Sequence, residues 1–369
     1  MNAKRIGSGG GKQRLREWTA GVIWQSPAAA IIRRRVRSRL TIVCYHRILS
    51  RKPDVPTAFD SLIVEPTVFE QHLEYYRRQY KCVTLNEASN PSNASNGDHR
   101  PRLVITIDDG YWDSAANARP ILDRLGLRAT FFLITSLIGA CEGPWYDRLA
   151  RSIAHLRRVN VDGAIDRHVR SYHSPSIPNH WIRSLMERRD LTVEAIVGEA
   201  KRLDPAFRAA VIDTTVASAE SAGWREDGLN RIMTTEEIRQ LADHGHEIAS
   251  HTRSHPILPQ LDPDQLRDEL VGSKQDLERI INKPVESLAY PNGDYDDQVI
   301  ASARNAGYRC AVTTESGLNK PDVEPFQLHR VFVSQARTTT RHGFVSIPLF
   351  ELELSGLADT IFLRKWRRR

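Results

Sequence analysis

No apolar run in this 369-residue chain approaches the roughly 20 residues of a membrane-spanning helix. The stretch 22–32 is too short and too broken to read as the apolar part of an export signal, so the expectation is a cytoplasmic protein. Cysteine is scarce: Cys44, Cys82, Cys141 and Cys310 stand far apart with no Cys-x-x-Cys pair, and some of them fall inside strand patterns. That spacing argues against a disulfide framework and for reduced core thiols. No internal repeat is present, and the basic ends of the chain lack interleaved aromatics, so nucleic acid is not an expected partner.

What is present describes a globular protein, with 40% hydrophobic residues and negative mean hydropathy. Charge is uneven. Residues 1–40 hold ten Lys or Arg and one Glu, and the final six residues hold five basics, so the ends carry about +14 against a whole-chain charge of +7. The N-terminal stretch also carries Leu15, Trp18, Val22 and Ile23, a partly amphipathic pattern interrupted by Pro27. Peripheral contact with an anionic membrane is one expectation, and solvated termini are the other.

Short apolar runs at 40–46, 82–85, 103–109, 129–134, 247–251, 287–291, 309–314 and 327–333 read as strands, with helical patterns at 114–125, 234–244, 262–282 and 296–306. Alternation of this kind predicts an α/β protein with a parallel sheet and crossover helices. Residues 140–230 form a polar, helix-rich insertion, either a lid or substrate platform on which Trp145 stacks a sugar, or a cap whose aromatics pack its own core. Residues 86–98, rich in Asn and Ser, read as a surface loop. The domain reading is a basic extension at 1–39, a catalytic domain at 40–335 interrupted by 140–230, and a C-terminal helix with basic tail at 336–369.

The chemistry starts at Asp108-Asp109-Gly110, which closes the run Leu103-Val104-Ile105-Thr106-Ile107 and puts two carboxylates at one strand end. Alone, such a tripeptide is also an ordinary solvated turn. Far along the chain, His251 and His255 follow another short strand at a spacing that, on a helical turn, brings both imidazoles to one face. Two imidazoles and one carboxylate make the three-ligand set of a catalytic zinc site. His244 and His246 have no such partner and read as structural.

These residues resemble the polysaccharide deacetylases, carbohydrate esterase family four. Thr106-Ile107-Asp108-Asp109-Gly110 is similar to the first motif of that family, His251 to His255 to the second, and Ala289-Tyr290-Pro291-Asn292-Gly293 to the Pro-containing third, over residues 40–138 and 230–335. The resemblance implies a distorted (β/α)7 barrel with its site at the strand C-terminal ends. It implies a divalent metal, zinc first with cobalt or nickel as alternatives, on Asp109, His251 and His255, with Asp108 as general base and the Asn292 N–H as oxyanion donor.

Two departures matter. Many members open the third motif with an arginine that holds the catalytic Asp, where this chain has Ala289, so Arg330 on the late strand is the candidate replacement, with an exposed strand arginine as the alternative. No Asp-x-x-Asp-Trp segment supplies a late general acid. The Ala-Tyr-Pro form is similar to the poly-N-acetylglucosamine deacetylase subgroup, in which an early Tyr-His serves, and Tyr45-His46 matches it. His46 is the candidate acid and His329 the runner-up. The expected activity is removal of N-acetyl groups from sugar residues of a polysaccharide or its precursor. The alternatives are a hydrolase of a small non-sugar amide and a silent carbohydrate-binding protein.

Overall fold

A strand rich in β-branched residues on both sides, such as 103–107, needs cover on both faces, and a ring of parallel strands wrapped in helices provides it. The computed structural model describes residues 9–50, 59–90, 99–159, 188, 191–358 and 361. They fall into two compact units, one drawn from residues 1–50, 61–138 and 233–369, the other from 51–60 and 139–232.

The first unit is a barrel. Its strands are β1 (Thr41–Tyr45), β2 (Lys81–Val83), β3 (Arg102–Ile107), β4 (Thr130–Leu133), β5 (Glu247–Ser250), β6 (Ser287–Ala289), β7 (Cys310–Ser316) and β8 (Leu328–Phe332). Seven of the eight close a ring in the order β1-β8-β7-β6-β5-β4-β3 and back to β1, every pairing parallel. β2 stays outside the ring and pairs with the first half of β3, through Lys81 to Arg102 and Val83 to Val104, while β4 takes the second half, opposite Thr106 and Ile107. The fold is a distorted (β/α)7 barrel.

Strand alternation sorts the side chains. Val43, Leu103, Ile105, Phe131, Ile248 and Val331 join the large outer core under the helices. Ile42, Val104, Phe132, Ala249, Ala289, Val312 and Leu328 fill the barrel interior together with Leu85 and Ala88. Those last two belong to a short helix, Leu85–Ser89, opened by a Thr84–Glu87 capping box. Residues 86–89 are therefore helical rather than loop, and 91–98 lie outside the described residues. Burial also corrects one thiol: Cys44 and Cys310 are buried, whereas Cys141 is exposed.

Around the barrel, the helical patterns appear as Thr235–Asp243, as Asp297–Asn305, and as two segments in which a π turn leads into regular helix, Ser114–Ala118 into Arg119–Leu125 and Asp268–Gly272 into Ser273–Ile281. Two N-terminal helices, α1 (Gly9–Gln25) and α2 (Ala28–Arg37), meet at Pro27, and α1 packs on a C-terminal helix, Ile347–Leu354, through Ala20 and Ile23 against Leu349 and Leu352. The basic residues beyond 361 lie outside the described residues. No helix among the described residues is long and apolar enough to cross a membrane.

The second unit is helical: Trp145–Val159, Val193–Ala200 and Pro205–Ser221 enclose Leu149, Ile153, Ile196, Val211 and Trp224. Trp145 packs in this unit's own core, edge-on to Tyr146 and beneath the Arg208 guanidinium at 5.1 Å.

Candidate active site at the barrel mouth

Five non-glycine residues among those described have positive φ, and four sit in turns that follow barrel strands: Asp109 (72°), Thr252 (67°), His255 (58°) and Asn292 (57°). The fifth, Asn282, closes an ordinary helix. Left-handed backbone at non-glycine residues costs about 1–3 kcal/mol each and tends to cluster at functional sites. After β3, Asp109 and Gly110 are both left-handed, and this sharp turn leaves both consecutive carboxylates buried.

His251 and His255 come together by a different route from the helical turn their spacing suggests. No helix forms there. The Ser250 hydroxyl accepts the Thr252 N–H at 3.1 Å and the Thr252 hydroxyl accepts the His255 N–H at 3.1 Å, so hydroxyls fold the segment into a tight turn. The two rings end up perpendicular, 4.7 Å between centroids.

Ligand atoms of Asp109, His251 and His255 lie within 4.8 Å of one another, all buried. Whether this set suits a cation can be read from His251. Its Nδ1 donates to the Ala289 carbonyl at 2.8 Å, which leaves the lone pair on Nε2. Nε2 faces Asp109 Oδ1 at 3.6 Å, beyond hydrogen-bond range. Burial pushes His251 below its usual pKa, although Asp108 and the carbonyl oppose it, so the imidazole is neutral and two acceptors confront each other. A cation between them resolves that arrangement, and the donor set fits a divalent metal.

Beside this set lies the second carboxylate. Arg330 Nη1 stands 2.8 Å from Asp108 Oδ1 and 2.7 Å from Oδ2, while its Nε donates to the Thr313 carbonyl at 2.9 Å. Arg330 is 3% exposed, which removes the reading of an exposed strand arginine. Burial works to raise the Asp108 carboxyl, but Arg330, then His46 and His251, outweigh it and hold it below the ordinary value. Asp108 is therefore a carboxylate at neutral pH.

The Cys44 thiol also approaches Asp108 Oδ2, at 3.6 Å. Sequence reasoning missed this contact, although Cys44 shares the inward parity of Ile42 on β1 and the register sets it beside Thr106. His46 follows on the same parity, its Nδ1 3.9 Å from Cys44 Sγ and its ring edge-on to Phe332; Cys44, His46 and Asp108 form a second close group of polar atoms. His329 is the neighbour of Arg330 on β8 and faces the other way, 3.5 Å from Glu315 Oε2 and part exposed. His244 and His246 both pair with Asp123, at 2.8 and 3.2 Å. Asn292 occupies the single turn Pro291–Gly293, pinned by Thr314 Oγ1 donating to its carbonyl at 2.8 Å. Gly293 is obligatory there: a Cβ would stand 2.1 Å from Thr314 Oγ1.

The family model described as polysaccharide deacetylase matches residues 95–226 and 207–311, more than half of the chain. The chain belongs to the polysaccharide deacetylase family. It is a hydrolase acting on carbon–nitrogen bonds other than peptide bonds, in a family that is generally metal-dependent. The Bacillus subtilis (strain 168) protein YxkH, named as a polysaccharide deacetylase, is 23% identical over 320 residues, 86% of this chain and 80% of the relative. Among solved structures, the fold is similar to Streptococcus pyogenes deacetylase PplD in complex with acetate (TM-score 0.51, 19% identity, 80% of this chain and 92% of that one). It is similar also to IcaB from Ammonifex degensii (TM-score 0.51, 16% identity, 86% and 97%) and to BC0361, a polysaccharide deacetylase from Bacillus cereus (TM-score 0.52, 20% identity, 86% and 69%).

Proposed function

We propose that this polysaccharide deacetylase removes N-acetyl groups from N-acetylglucosamine-type residues of an exopolysaccharide or its precursor, in the cytoplasm, with Asp108 as general base. The observation that carries the reading is the buried Arg330 on both oxygens of Asp108, next to three converging metal-type ligands. Ala289, where many members have an arginine, had favoured a silent carbohydrate-binding protein. Arg330 offers the missing cation from a different strand, which supports turnover.

Asp109, His251 and His255 would hold a divalent ion, zinc in this reading, which on binding lowers the pKa of water towards neutrality and polarises the amide carbonyl. Asp108 takes the proton of the attacking water; its partner Arg330 fixes the carboxylate plane and keeps it ionised. The Asn292 N–H donates to the developing oxyanion, a role Pro291 cannot fill. His46, close to Asp108, returns a proton to the leaving amine, and acetate departs. Membership of the polysaccharide deacetylase family and kinship with YxkH support a glycan substrate.

The test is acetate release from N-acetylglucosamine oligomers by metal-stripped protein, with zinc, cobalt or nickel added back, beside Asp108→Asn and His251→Ala. Metal-dependent release lost in both variants supports the assignment. Tight metal binding without release from any oligomer would overturn the substrate, and no metal binding would overturn the site.

A further inference from the structure

The large apolar side chains left in solvent are not scattered. Eight are exposed among the described residues, and all but Val159 lie on α1, on α2 or in the C-terminal segment beside α1. A grouping this selective marks an interaction face.

Helix α1 is apolar on two sides. Its inner side, Ala20 and Ile23, is packed on Leu349, Leu352 and Leu357. On the opposite side Leu15, Trp18 and Val22, spaced i, i+3 and i+7, are 62%, 67% and 47% exposed. The helix is anchored: Arg16 reaches Glu353 at 3.3 Å, Gln13 Nε2 donates to the Thr339 carbonyl at 2.7 Å, and Glu17 accepts the Arg341 N–H at 2.7 Å. The outer stripe is thus presented on a docked helix. The Arg341 loop also carries Phe344, 73% exposed.

Helix α2 supplies the charge. Arg33 stacks over Trp24 of α1 at 3.9 Å, and Arg33, Arg34, Arg35 and Arg37 are all exposed, with Ile31 exposed beside them. Glu17 is the single acid among residues 1–40. A second copy would set this basic face against itself. An apolar stripe with a central tryptophan, next to a row of arginines, has the chemistry of a helix lying at the headgroup level of an anionic bilayer.

We propose that α1 and α2 form a docking face for an anionic phospholipid surface. Leu15, Trp18 and Val22 enter the boundary between headgroups and acyl chains, and the α2 arginines contact lipid phosphates. The proposal stands apart from the deacetylase chemistry, because its test reads binding without turnover.

The full chain is sedimented with vesicles of phosphatidylcholine, alone or with phosphatidylglycerol, at low and raised salt. The expected result is pelleting with the anionic vesicles only, weakened by salt, and a loss of partitioning of about tenfold or more in Leu15→Ser/Trp18→Ser and in Arg34→Glu/Arg35→Glu. Unchanged thermal melting of either pair shows that folding is intact, and the arginine pair keeps the test alive if the serine pair misfolds. No pelleting with anionic vesicles at low salt overturns the proposal, as does pelleting that both pairs leave unchanged. A wild-type dimer in sedimentation equilibrium that the same substitutions dissociate overturns it in favour of a second copy.

Discussion

Each end of the barrel holds a carboxylate, Asp108 buried at the mouth and Glu247 half-buried at the floor, and the two are treated in opposite ways. At the mouth, Asp108 lies against the Arg330 guanidinium and is held below its ordinary pKa in spite of burial. At the floor, Glu247 opens β5 and, among the described residues, accepts from neutral donors: Ser287 Oγ at 2.6 Å, Thr130 Oγ1 at 2.8 Å and the Asn86 N–H at 2.9 Å. Burial dominates there and raises Glu247. Burial works to raise both carboxyls, and the net shifts are opposite because Asp108 has a charged partner in Arg330 whereas the donors to Glu247 are neutral.

The backbones differ in the same sense. The mouth is built on turns with left-handed Asp109, Thr252, His255 and Asn292, whereas the floor is closed by a regular short helix with a complete capping box. Strain and charge gather at the mouth, where the proposed chemistry lies, and satisfied neutral bonds gather at the floor, where the barrel needs only to stay shut.

Substitutions can break that contrast. Asp108→Asn removes the charge at the mouth while keeping its shape, and kcat for acetate release is expected to fall by at least about 10³-fold, measured by single-turnover assays with metal present. His46→Ala is expected to lower kcat by about 10²-fold or more, whereas His329→Ala, on the outward face of β8, leaves it within about twofold. Equal losses in both would return the acid to an open question. Arg330→Ala strands Asp108 without its cation. It should cost activity by about 10²-fold and stability by about 3–5 kcal/mol, read by urea unfolding, and intact activity would remove Arg330 from the mechanism.

Glu247→Gln sharpens the comparison from the floor. The amide keeps an acceptor for Thr130 and Asn86, and Ser287 can turn its hydroxyl, so activity stays at wild type and stability at neutral pH changes by less than about 1.5 kcal/mol. The pH dependence has a definite sign. The folded-state pKa of Glu247 lies above the unfolded value of 4.5, so its contribution is complete below that value and is lost as pH rises through the folded one. The wild type should hold its largest advantage over Glu247→Gln in acid, and the gap should narrow towards neutrality. A constant gap between pH 5 and 8 would mean that Glu247 is ionised throughout.

Much of this was legible in the chain. The eight strands announce themselves as short apolar runs, and Asp108, Asp109, His251 and His255 stand at their ends. Ring closure was not readable from the runs, because β2 and β4 share one edge of β3 and only tertiary pairing decides which strand completes the barrel. The helix after β2 was hidden by its Asn- and Ser-rich composition, though Thr84-x-x-Glu87 is a capping-box spacing that names it. The histidine pair misled in another way. A spacing of four suits a helix, but the Ser250 and Thr252 hydroxyls compete for the backbone N–H groups and win. Glu247 gave no signal, since in sequence a glutamate between His246 and Ile248 looks like any charged strand edge.

The atom that sets the tautomer of His251 is the carbonyl oxygen of residue 289, part of the main chain. Every amino acid carries that oxygen, so the genetic code cannot delete it, and a mutational scan scored side chain by side chain would pass over it. What can be lost is alignment: the contact depends on Ser250 lying opposite Leu288, and a slip between these two strands would disarm the histidine while leaving every residue of the site unchanged.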